Sequence, residues 1–207
     1  MDIPSPWTLF DLIDLFGVFV GAFSGALVAR RHRYDILGLW GLALVTGLGG
    51  GLIRDVCLQV GPPVALTEPA YLPTVVVATF AGAFYGHRID QSRIPIVFAD
   101  SVSLIVFAVA GSLRTMNYDF SPWSTVLLGV ITAVGGGVIR DVLTGDTPMI
   151  FRRGELYAFA AMGASIAMVT AEAAGASKGL FVLIGFAVGL SLRFGSLRFG
   201  WMSWVPR

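Results

Sequence analysis

"GLGGGLIRDV" occupies residues 47–56, and "AVGGGVIRDV" occupies residues 133–142. Seven of the ten positions are identical, and the copies stand 86 residues apart. Each glycine costs about 1 kcal/mol relative to alanine inside a helix. An arginine or aspartate in hydrocarbon is costlier still and by default marks function. A chain that carries both features twice has a use for them.

The surrounding sequence is apolar. Of 207 residues, 56% are hydrophobic and 13% charged, with a mean hydropathy of +0.79. Soluble domains carry about 25% charged residues, so the composition points to an integral membrane protein. The net charge of +1 gives no reason to expect a nucleic-acid partner. The lone cysteine, Cys57, excludes an internal disulfide and supplies no metal site by itself. No metal or cofactor is expected. His32 and His87 lie beside arginines and read as solvated loop residues. The N-terminal stretch "MDIPSPWTLFDLIDLF" has neither a basic region nor a small-residue cleavage site, so it does not read as a signal peptide.

A helix needs roughly 20 apolar residues to cross the bilayer core. Seven such stretches are read, at 10–29, 36–58, 69–86, 95–113, 122–143, 155–172 and 178–193. The fold class is therefore an all-α, seven-span membrane protein forming one transmembrane domain over 1–207. Lys and Arg gather on the cytoplasmic side of membrane proteins. If the first loop is cytoplasmic, that side collects Arg30, Arg31, Arg33, Arg88, Arg93, Arg152, Arg153, Arg193, Arg198 and Arg207. The other side holds Arg114 and Lys178. The bias places the N-terminus outside and the C-terminus in the cytoplasm of a multi-pass inner-membrane protein.

The 86-residue offset extends beyond the glycines. Asp14 maps to Asp100, Gly25 to Gly111, Thr46 to Thr132, Pro62 to Pro148 and Tyr71 to Tyr157. The chain reads as two three-span repeats, 10–89 and 95–172, followed by a seventh helix at 178–193. Three is odd, so the second repeat enters from the opposite face. Inverted repeats of this kind are tied to transport, with the pathway at their interface.

The candidate site follows from this arrangement. Gly49, Gly50, Gly51, Gly135, Gly136 and Gly137 would allow close backbone approach, or would bend or break the second and fifth spans around a pathway. Arg54, Asp55, Arg140 and Asp141 would lie towards its two mouths. Neighbours on a helix point about 100° apart, so Arg54 and Asp55 are not expected to pair. Asp14 and Asp100 are the expected partners of the arginines, in a crossed arrangement. Thr46 and Thr132 would either face a dehydrated cation or bond the carbonyl four residues back. Small residues spaced four apart (Gly17, Gly21, Gly25; Ala78, Gly82, Gly86; Gly185, Gly189) mark packing faces. The sequence carries no HExxH, GxSxG or P-loop signature, and enzymatic activity is not expected.

The paired motifs, "GGGLIRDV" and "GGGVIRDVLTGDTP", within a three-plus-three-plus-one span pattern, resemble the bacterial branch of the trimeric intracellular cation (TRIC) channels. The likeness runs from about Phe10 to Leu192. It implies a homotrimer in membrane lipid with an hourglass pore in each protomer. It also implies kinks at the six glycines and passage of monovalent cations, K+ above all and Na+ with it. The chain departs from the animal members, which carry a Lys-Glu-Val segment in place of the second Arg-Asp. The alternative reading is a secondary transporter of a small solute such as glycine.

Overall fold

The structure is a computed structural model that describes residues 8–89, 93–152 and 156–201. Among these the chain forms eight α-helices, one 3-10 turn and no strand. They are α1 (Leu9–Arg31), α2 (Ile36–Leu58), α3 (Val64–Thr67), α4 (Tyr71–Ile89), α5 (Ile94–Met116), α6 (Pro122–Leu143), α7 (Tyr157–Ala173) and α8 (Lys178–Phe199), with the 3-10 turn at Met149–Phe151. Arg153 and Arg207 lie outside the described residues, as do the side chains of Gly86, His87 and Arg88.

Local chemistry sets the helix ends. Thr8 and Asp11 form a reciprocal capping box at the start of α1, satisfying donors that the first turn leaves open. Asp35 caps α2 through Gly38 N. Ser121 caps α6, whose first residue is Pro122; proline suits that position because its missing N–H has no helical partner there. α2 stops at Gln59, in the left-handed conformation with φ 54°.

Five helices, α1, α2, α5, α6 and α8, are long and apolar enough to cross a membrane. The apolar parts of α4 and α7 are shorter, at residues 71–85 and 157–173. The third expected span begins at Tyr71, two residues later than expected, and a short helix, α3, precedes it. The last one continues to Phe199 rather than ending near residue 193.

The packing repeats at the 86-residue offset. α1 lies against α2 and α4, as α5 lies against α6 and α7. The halves join through two like-with-like contacts, α1 on α5 and α2 on α6. α8 lies outside this pairing and packs on α7 and α5. Phe107 of α5 fills part of the core between the halves, against Gly17 and Gly21 of α1.

The glycine triplets explain the α2–α6 contact. A Cβ on Gly50 would strike the carbonyl oxygen of Thr132, and one on Gly136 would strike that of Thr46. A Cβ on Gly135 would lie 3.2 Å from Gly50 Cα. Only glycine lets these backbones meet. Both helices run unbroken through the triplets, so the break allowed for on sequence grounds is not there.

Candidate functional site: two arginine–carboxylate clusters

Each repeated motif ends in a buried ion cluster. Arg54 and Asp55 lie near the end of α2, and Asp14 faces them from α1. Arg54 Nη1 donates to Asp14 Oδ1 at 2.9 Å, and Arg54 Nε donates to Asp55 Oδ1 at 2.8 Å. The other carboxylate oxygens also have donors. Asp14 Oδ2 accepts from Tyr71 Oη at 2.8 Å, and Asp55 Oδ2 accepts from the backbone N of Val64 at 3.0 Å. All three charged side chains are buried. Buried charges need this degree of hydrogen bonding, because desolvation outweighs an imperfect pairing.

The second cluster repeats the first. Arg140 Nη1 donates to Asp100 Oδ1 at 2.5 Å, and Arg140 Nε donates to Asp141 Oδ1 at 2.9 Å. Asp141 Oδ2 accepts from the backbone N of Met149 at 3.1 Å. Both aspartates that follow the arginines thus anchor the start of the next helical turn, α3 in one half and the 3-10 turn in the other. Ser24 of α1 reaches across from the opposite half, and its Oγ accepts from Arg140 Nη1 at 3.1 Å.

Two expectations are corrected here. Arg54 does pair with Asp55, and Arg140 with Asp141. Although adjacent Cβ atoms diverge, the long arginine stem folds back so that its planar fork meets the short neighbouring carboxylate. The folded arginine passes the third glycine of each triplet at ordinary contact distance. A Cβ on Gly51 would lie 3.6 Å from Arg54 Nη2, and one on Gly137 would lie 3.8 Å from Arg140 Nη2. Nor is the pairing crossed between halves: each arginine bonds the aspartate 40 residues before it.

Thr46 and Thr132 adopt the commoner of their two expected arrangements. Their hydroxyls bond the carbonyls of Leu42 and Leu128, each at 2.6 Å. They pack against Gly25 and Gly111, where an added Cβ would lie 2.6 and 2.5 Å from the hydroxyl oxygens.

The clusters differ in access. A cavity of about 420 Å³ reaches the second, lined by Asp100, Arg140, Asp141 and Met149. Its rim carries Arg31, His32, Arg93, Asp146 and Arg152. At the first cluster the corresponding space, between Asp14, Gly51, Arg54 and Tyr71, is about 10 Å³. Asp14 Oδ2 is bonded to Tyr71, whereas buried Asp100 Oδ2 has no hydrogen-bond partner among the described residues. His32 is not merely a solvated loop residue. Its Nε2 stands 3.3 Å from Asp146 Oδ2, bridging the two halves at the rim.

Sequence reasoning missed Ser24, the role of the two tyrosines and Arg193. The tyrosines were visible as a matched pair in the repeat but carried no assigned role. Arg193 was counted with the cytoplasmic loop charges; it is fully buried within α8, where its Nε donates to Ser101 Oγ at 2.9 Å. No group of three metal-ligating side chains stands together among the described residues.

Comparison with known proteins agrees with this architecture. The family model described as "Glycine transporter" matches residues 11–87 and 97–173, one match for each half. A "UPF0126 membrane protein" of Deinococcus radiodurans is 33% identical over 94% of this chain and 86% of its own length. The "UPF0126 inner membrane protein YadS" of Escherichia coli is 38% identical over 77% of each chain. Among solved structures, the TRIC trimeric intracellular cation channel orthologue from Rhodobacter sphaeroides is 38% identical. It superposes with a TM-score of 0.88 over 94% of this chain and all of that one. With both halves matched by one family model and relatives aligned over most of their length, this multi-pass membrane protein belongs to the family that holds the prokaryotic TRIC proteins.

Proposed function

We propose that the chain is a trimeric, K+-permeable cation channel of the inner membrane. Each protomer has its own hourglass pathway, running between the Asp14–Arg54–Asp55 and Asp100–Arg140–Asp141 clusters along the α2–α6 contact. The observation that carries this reading is the repetition of one charged cluster on either side of a glycine-only backbone contact, with a 420 Å³ vestibule leading to one of the pair. Seven spans and an inverted repeat follow from three-span halves related by the 86-residue offset. The arginine distribution supports an outside N-terminus and a vestibule open to the cytoplasm.

In this reading the waist of the hourglass is the contact of Gly49 and Gly50 with Gly135 and Gly136, and conduction requires these helices to bend apart there. The solved relatives are described as trimeric cation channels, which supports both the assembly and the ion class. Purified protein in a planar bilayer tests the reading: discrete K+ currents are expected.

A second reading is favoured by the one-sided cavity, which suits an alternating-access carrier of a small zwitterion such as glycine. Glycine uptake into vesicles without K+ current would establish that reading instead.

A further inference from the structure

We propose that the mouth opposite the vestibule is closed by a stack of rings and guanidinium groups, with Phe10 between Arg54 and Arg114, and that this stack must part for ions to pass. The inference rests on the channel reading and adds a gate to it.

Three helices build the stack. Phe10 lies in the first turn of α1. The guanidinium carbons of Arg54 on α2 and of Arg114 in the last turn of α5 each lie 5.0 Å from the centroid of its ring. The Arg114 guanidinium carbon is also 5.0 Å from the ring of Tyr118, just past the end of α5. Arg54 and Phe10 are buried and Tyr118 is exposed, so the column leads from the first cluster to the surface. At its inner end Arg54 also lines the space of about 10 Å³ at that cluster.

The other half of the molecule shows what these positions look like without a stack. At the 86-residue offset, Phe10 corresponds to Ile96, Arg114 to Val28 and Tyr118 to His32. All three counterparts line the vestibule. Ile96 packs against the small apolar group of Val28, Ala29 and Leu42, and the cavity of about 420 Å³ runs past it to the second cluster. The same three positions are therefore filled at one mouth and open at the other. The difference lies in bulk rather than in net charge, since the vestibule carries Arg31, Arg93 and Arg152 of its own. A guanidinium is drawn to the face of an aromatic ring, but each such contact is weak. The contacts join separate helices, so movement of α1 against α5 parts them without breaking a helical hydrogen bond.

The test is the rate at which a cationic methanethiosulfonate labels Gly51→Cys at the first cluster, in a Cys57→Ser background. The protein is held in lipid nanodiscs, so that both mouths meet the reagent. Phe10→Ile, which matches Ile96, is expected to speed labelling about tenfold, the scale of losing two cation–π contacts. Arg114→Gln loses as many contacts and should act similarly, which keeps the test decisive if Phe10→Ile does not fold. Labelling of Ile96→Cys in the vestibule should change with neither. An unchanged rate at Gly51→Cys overturns the proposal. Equal acceleration at Ile96→Cys also overturns it, because the stack would then be holding the fold together rather than closing a mouth. Planar-bilayer recording on the same variants should show larger K+ currents than wild type. Faster labelling with no K+ current in any of them would establish the closed mouth and sink the channel reading, whereas K+ current with unchanged labelling would do the reverse.

Discussion

Gly50 and Gly136 are reciprocal: each occupies the space beside a threonine carbonyl on the other's helix, Thr132 for Gly50 and Thr46 for Gly136. Neither site has room for a methyl group. Elsewhere on α2, Gly41 has no described residue within 4 Å of an added Cβ.

That contrast makes the first prediction. Gly50→Ala and Gly136→Ala should destabilise the protein by about 1–3 kcal/mol through overpacking, despite the helix propensity gained. Gly41→Ala should be neutral or stabilising by up to about 1 kcal/mol. Thermal unfolding in detergent measures this. On the channel reading, in which the two halves act in series, well-folded Gly50→Leu and Gly136→Leu trimers, where obtained, should each show reduced conductance. Wild-type currents from both would remove the triplets from the pathway.

The aspartates should separate stability from conduction. Asp14 is held by Arg54 and Tyr71, so Asp14→Asn leaves a buried guanidinium underpaired and should cost about 3–5 kcal/mol. Among the described residues, Asp100 has one oxygen without a partner, and it lines the cavity. Asp100→Asn should therefore lower K+ conductance more than Asp14→Asn does. The comparison needs melting curves and bilayer currents on the same preparations, and the opposite ranking in currents would contradict the vestibule assignment.

Tyr71→Phe removes the one hydroxyl that bonds Asp14 Oδ2. Losing a hydrogen bond to a buried charge should cost about 1.5–3 kcal/mol. Tyr71→Phe should also speed labelling by a small thiol reagent of a cysteine placed at Gly51, scored in a Cys57→Ser background. Unchanged stability and unchanged labelling would show that Tyr71 does not seal the first cluster.

Topology and assembly are testable without electrophysiology. A reporter fused after Arg207 should be cytoplasmic and a tag before Asp2 external. Both ends on one side would refute the seven-span inverted repeat. Crosslinking in mild detergent should end at three subunits, and a dominant monomer in both detergent and lipid would refute the trimer.

Much of this architecture is legible in the chain, because hydrocarbon admits few solutions. A span must be about 20 apolar residues long, and every backbone polar group must be satisfied within its own helix. Composition and period therefore expose the helices, and the 86-residue offset exposes their duplication. The offset also marked Asp14, Asp100, Arg54 and Arg140 before any contact was known. What a repeat cannot reveal is how long side chains turn. The Arg54–Asp55 fork forms because the arginine stem folds back towards a carboxylate that the Val64 backbone also holds. Thr46 and Thr132 are the same kind of case: two bonding options were open from sequence, and only the packing of α1 on α2 and of α5 on α6 chose between them. Arg193 read as a loop charge because its helix was ended near residue 193. α8 continues another turn and more, and carries that charge into the protein. Sequence by itself determined the membrane class, the helices and the paired charges, since these follow from local composition and spacing. The tertiary structure alone decided the partners of each charge, the one-sided cavity and the burial of Arg193, since these depend on which surfaces meet at distances that no local pattern encodes.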